Sequence, residues 1–152
     1  MSTIAMTELQ GMISRVREIM DEQREYLIKI DGEMGDGDLG ITMTKAFAAA
    51  EDSLGGQDGS DLGKALMQMG MAMNKAAPST MGTLLATGFM RGGKAVQGKS
   101  ELSSADLADV FEAFVKGLQE RGKSQPGDKT IIDVLLPAAE ALREKADVAP
   151  VE

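Results

Sequence analysis

The chain has 152 residues, a formal net charge of −8, no cysteine and no histidine. Those absences exclude a disulfide scaffold, thiolate or imidazole zinc sites, a cysteine nucleophile, a Ser-His-Asp triad and a phosphohistidine relay within the chain. The acidic balance speaks against nucleic acid as a partner, because phosphate contacts need clustered Lys and Arg.

The length predicts one domain over residues 1–152, long enough to bury a core. Glu8, Arg15, Arg17 and Glu18 argue against a signal peptide or membrane span at the start. No later apolar run approaches the ~20 residues that cross a bilayer. A cytoplasmic protein with no membrane partner is expected.

Ala, Leu, Met and Glu dominate and aromatics make up 3%, which favours helices over strands. Residues 7–28 begin at a Thr7 cap and place Leu9, Met12, Ile13, Val16, Ile19, Met20 and Leu27 at helical spacing. A glycine-rich acidic stretch follows. Further helices are predicted near 40–53, 61–76 and 80–95, separated by turn chemistry at Gly55-Gly56-Gln57-Asp58-Gly59 and Ala77-Pro78-Ser79. The segment 103–119 opens on a capping-box-like Ser103 and Asp106, and Leu107, Val110, Phe111, Phe114, Val115 and Leu118 form one apolar face. A last helix is predicted over 128–145, with Ile131, Ile132, Leu135, Leu136, Ala139 and Leu142 inward and Pro137 kinking it. The tail 146–152 reads as frayed. The expected fold is all-α: an antiparallel up-and-down bundle or barrel of about six helices. The twelve methionines fall mostly on apolar faces and read as core packing.

Three motifs carry chemistry. In Asp31-Gly-Glu-Met-Gly-Asp36-Gly-Asp38-Leu-Gly40, three aspartates within eight positions alternate with glycines. Such carboxylates repel unless a cation sits among them, and hard oxygen ligands favour Mg²⁺ or Ca²⁺. An EF-hand calcium loop fails, since the twelfth position from Asp36 is Phe47 rather than Glu. The plainer alternative is a polar turn in which Asp38 caps the next helix. The second motif, Pro78-Ser79-Thr80-Met81-Gly82-Thr83, reads equally as a phosphate-receiving helix start and as an ordinary N-cap. In the third, Gly127-Asp128-Lys129-Thr130, Asp128 is a natural cap. Lys129 there either faces an anion or is simply exposed. Metal, phosphate site and lysine together describe phosphoryl transfer.

In order and spacing, these segments resemble the nucleotide-binding L subunit of dihydroxyacetone kinases. The resemblance rests on Asp31, Gly35-Asp36-Gly37-Asp38-Leu39-Gly40, the helix start at Gly82, and Gly127-Asp128-Lys129-Thr130 with Asp133 and Leu136-Pro137-Ala138. It implies an antiparallel helical barrel with nucleotide at one end. Asp31, Asp36 and Asp38 would hold Mg²⁺. Ser79, Thr80, Met81, Gly82 and Thr83, with Leu39 and Thr42 nearby, would hold ADP or ATP. No catalytic side chain is implied in this chain. The sugar would sit on a separate K subunit, bound covalently to a histidine there, and a phosphocarrier protein would recharge the ADP in phosphotransferase-system members. The lack of histidine here fits that division of labour, and the chain alone would not complete the reaction.

Several positions depart from the family pattern. Leu39 stands where a histidine is usual, Thr42 where an asparagine is usual, and Thr80-Met81-Gly82 where Ala-Ser-Gly is usual. The family's later Gly-Arg and Asp-Pro-Gly motifs have no counterpart after Lys145. A shortened barrel would expose an apolar seam and favour a homo-oligomer. The alternative function is a catalytically silent regulatory or binding module that retains the fold.

Overall fold

The computed structural model describes residues 3–146, which form seven helices and one isolated antiparallel bridge between Ile4 and Leu102. The helices are α1 (Met6–Glu22), α2 (Arg24–Gly32), α3 (Leu39–Leu54), α4 (Leu62–Ala76), α5 (Thr80–Ala95), α6 (Ser104–Gly122) and α7 (Ile132–Glu144). From α2 onward consecutive helices pack on one another, as expected of an up-and-down array, while α1 packs mainly on α3. No described helix is long and apolar enough to cross a membrane. Of the tail expected to fray, residues 147–152 lie outside the described residues.

The count is seven rather than about six because the first leg is broken. At Gln23 the backbone leaves the helical region, with φ −93° and ψ 3°. Gln is a good helix former, so nothing in the sequence marks the break. Residues 21–26 are all exposed, and no core contact holds that turn straight. The hydrogen-bond ladder nearly survives: Gln23 N–H donates to the Ile19 carbonyl and Leu27 N–H to the Gln23 carbonyl, both at 2.9 Å.

Both outer helices start away from the expected cap. The N-cap of α1 is Ala5, not Thr7. Ala5 N–H donates to Glu8 Oε2 at 3.0 Å, and the Ile4–Leu102 bridge fixes the entry just before it. At α7, Asp128 is no cap and Lys129 lies outside the helix. Asp133 accepts from Gly127 N–H at 2.6 Å and Thr130 N–H at 2.9 Å, which holds its carboxyl below the usual range. Those bonds compete with the helical ladder and keep 127–130 in a turn with Lys129 at φ +59°. Pro137 does lie inside α7. The expected capping box of α6 is present: Ser103 Oγ accepts from Asp106 N–H, and Asp106 Oδ2 accepts from Ser103 N–H.

The core is one cluster in which Leu54, Leu62, Met69, Met73, Val96, Leu118 and Ile132 are fully enclosed. Met12, Met34 and Met71 are exposed, but Met6, Met69 and Met73 are core residues, as the periodicity implied. Backbone contact through glycine brings α4, α5 and α6 together. A Cβ on Gly63 would strike the Gly93 carbonyl, and one on Gly92 would lie 2.9 Å from Val110 Cγ1. At the array's edges, α1 and α2 pack on α3 and α7 packs on α6. Met12, Ile19, Tyr26 and Ile30 on one edge and Val134 on the other are exposed.

Gly63→Ala is expected to lower unfolding stability by about 1–3 kcal/mol, the usual range for overpacking. Gly11→Ala, at a helical position with nothing within 4 Å of the added methyl, should raise it by about 0.5–1 kcal/mol. Urea denaturation of the two variants checks the contrast, and equal effects would refute the close α4–α5 contact.

Candidate functional site

The alternation of legs brings the C-termini of α2 and α4 and the N-termini of α3 and α5 to one end of the array. Asp31 is not in a loop, as its sequence context suggests, but in the last turn of α2. Its carbonyl accepts from Met34 N–H at 3.2 Å and Gly35 N–H at 2.6 Å, which starts the turn. Gly37, at φ +73°, takes the left-handed conformation that glycine permits. Gly40 then lies directly on α2, where any side chain would strike the Arg24 carbonyl. That contact pins the start of α3 to α2 and sets Asp38 beside Asp31.

Each of Asp31, Asp36 and Asp38 offers a carboxylate oxygen within 4.8 Å of the others. Two backbone donors reach the group: Leu39 N–H bonds to Asp31 Oδ2 at 3.2 Å, and Asp38 N–H to Asp36 Oδ1 at 3.3 Å. Asp38 occupies the N-cap position of α3, yet its side chain makes no capping bond. Asp31 serves the start of α3 instead, reaching across from α2. The plain-turn reading therefore leaves the Asp38 carboxylate without a job. Loss of water, then the charges of Asp36 and Asp31, push its carboxyl above the usual range.

The second motif faces this cluster. Ser79 is the N-cap of α5, its Oγ accepting from Gly82 N–H at 3.0 Å. Gly82 is buried against the Ala77 carbonyl, where only glycine fits. The same segment forms one wall of a cleft of about 470 Å³ lined by Asp31, Asp36, Asp38, Leu39, Pro78, Ser79, Thr80 and Met81. The cleft adjoins two cavities that share its Pro78–Ser79 wall. A groove of about 810 Å³ passes Asn74, Thr83 and Leu84 to Arg121 and Gly122. A recess of about 180 Å³ lies on the other side, lined by Asp38, Ile41, Thr42, Lys45, Ala76 and Ala77.

Of the residues singled out in the sequence, Leu39, Ser79, Thr80 and Met81 share the cleft with the three aspartates. Thr42 lines the recess and Thr83 the groove. Gly127-Asp128-Lys129-Thr130 lines none of the three. Sequence reasoning missed Asn74, Leu84, Arg121 and Lys45. Lys45 carried a readable signal, seven residues beyond Asp38 on one helix, whereas Arg121 is brought in only by the packing of α6 on α5.

An all-helical array with three close carboxylates facing a hydroxyl-bearing helix start defines the class of domain. The chain belongs to the DAK2 domain family, whose model matches residues 33–151. It is 31% identical over 145 residues to the ADP-binding subunit DhaL of the PEP-dependent dihydroxyacetone kinase of Escherichia coli, covering 95% of this chain and 69% of that one. It is 32% identical over 128 residues to the ADP-binding subunit DhaL of PEP-dependent dihydroxyacetone kinase 1 of Listeria innocua, covering 84% and 64%. It is also 31% identical over 134 residues to the D-erythrulose kinase of Mycolicibacterium smegmatis, covering 84% of this chain and 22% of that one. The chain thus spans about two thirds of the DhaL subunits it matches.

The raised Asp38 carboxyl has a defined consequence for stability. The folded protein binds that proton more tightly than the unfolded chain, so stability at this position is greatest below the ordinary carboxylate pKa of about 4. It is lost as pH rises through the raised value. Asp38→Asn should therefore raise the melting temperature in EDTA at pH 7, with the gain shrinking toward pH 4. A lowered melting temperature at pH 7 would show that the three carboxylates do not strain the fold.

Proposed function

We propose that this chain is the ADP/ATP- and Mg²⁺-binding phosphoryl-transfer subunit of a dihydroxyacetone-type kinase. One observation carries the reading. The aspartate trio and the start of α5, more than forty positions apart in sequence, line one cleft. Carboxylate oxygens at this spacing, with one of them reluctant to ionise, form a donor set suited to a hard divalent cation. Asp31, Asp36 and Asp38 are the residues that would hold Mg²⁺. When bound, the metal supplies positive charge to phosphate oxygens in a cleft that is otherwise acidic.

The chain's own residues bind and orient. The Ser79 and Thr80 hydroxyls and the N–H groups of Thr80 and Met81 at the start of α5 face phosphate, as helix N-termini do, while the Gly82 N–H serves the Ser79 cap. Met81 and Leu39 present apolar surface beside them. The adjoining groove past Thr83 and Leu84 has the size of a nucleoside pocket, within the ~300–1,000 Å³ typical of small-molecule sites. The three cleft carboxylates are assigned to the metal, and the acceptor, a small hydroxyketone or ketose, is held by a separate sugar-binding subunit. A phosphocarrier protein recharges the bound nucleotide where the system is PEP-dependent; the Escherichia coli relative is named as the ADP-binding subunit of a PEP-dependent kinase.

A second reading, a catalytically silent module that keeps the fold, draws on Leu39 and Met81, two apolar side chains lining the cleft itself. Calorimetric titration separates the two. The kinase reading expects ADP binding that requires Mg²⁺, vanishes in EDTA and weakens at least about tenfold in Asp36→Asn. Absence of binding at millimolar ADP would give the silent module the field.

A further inference from the structure

We propose that Lys45 is the cation that receives the terminal phosphate of a nucleoside triphosphate at this site. The inference rests on the nucleotide reading above and adds a residue and a direction to it. The two cavities flanking the carboxylate cleft are unequal. The groove toward Arg121, about 810 Å³, has room for a nucleoside, whereas the recess of about 180 Å³ does not. A nucleotide seated in the groove therefore runs its phosphates through the cleft with its far end toward the recess.

The recess is built to meet that end. Asp38 and Ser79 line both recess and cleft, so the two spaces share a wall carrying a carboxylate and a hydroxyl. Thr42 and Ala77, both buried, belong to its lining. Among the described residues that line cleft and recess, Lys45 is the one cation. It follows Asp38 by seven residues, about 10 Å along α3 at 1.5 Å per residue. Helical side chains lean toward the N-terminus, the direction in which Asp38 lies from Lys45, and both line the recess with Ser79. No carboxylate of the described residues forms an ion pair with it. A merely solvated lysine needs no recess and no shared wall with the acidic cluster.

The test is calorimetric titration of the purified chain with ADP and with ATP in Mg²⁺, comparing the natural protein with Lys45→Gln and Lys45→Arg. Lys45 is exposed, so matching melting temperatures establish that the variants fold. Lys45→Gln is expected to weaken ATP about tenfold while changing ADP less than about twofold, and Lys45→Arg to restore most of the loss. Equal weakening of both nucleotides, or unchanged ATP binding, would overturn the Lys45 assignment and leave the nucleotide site standing. If the natural protein bound neither nucleotide, the nucleotide reading would fall and the assignment with it.

Discussion

The confinement of three like charges is the constraint around which this end of the molecule is organised. Carboxylates that can avoid one another do so in solvent. Here the last turn of α2 fixes Asp31, a left-handed Gly37 turns the chain, and Gly40 locks the start of α3 onto α2. Those points bring Asp36 and Asp38 back beside Asp31. The backbone offers the group two N–H donors, and loss of water with the neighbouring charges pushes the Asp38 carboxyl above its usual range.

The rest of the array serves that end by keeping its helices close. Glycines at the α4–α5 and α5–α6 contacts let backbone approach backbone, which fixes the position of α5 relative to α3 and α6. The cleft wall at Pro78–Ser79 inherits that position. Ser79 caps α5 with its own side chain while lining all three cavities, so helix start and site wall are one feature. Capping and phosphate reception are therefore compatible for this segment.

How much of this was legible in the sequence depends on where the information sat. Local signals that the backbone must satisfy are readable: the Ser103–Asp106 box and the helix start at Thr80 both stand where expected. Signals set by competition are not. Gln23 breaks a helix it ordinarily favours because nothing buried holds that turn. Asp128 looks like a cap, but Asp133 reaches back to the turn first and defers the start of α7. Asp31 looks like a loop ligand in its sequence context, although α2 extends through it and its carboxylate serves the start of a different helix. The groove toward Arg121 depends on α6 packing beside α5, a tertiary fact with no local trace.

The sign of the charges supplies the last step. With a net charge of −8 and three carboxylates in the cleft, this protein is an unpromising host for a polyphosphate. On the proposed reading two devices would offset that repulsion: a divalent cation on the aspartates, and positive partial charge from the helix start at Thr80. Both would act at the middle of a bound phosphate chain. The ends are left to side chains, and the fold puts one cation in each flanking cavity, Arg121 in the wide one and Lys45 in the narrow one. On that reading the unequal sizes of those cavities would decide orientation, because the wide cavity beside Arg121 has room for a nucleoside and the narrow one beside Lys45 does not. An acidic protein would thereby hold an anionic ligand in one direction.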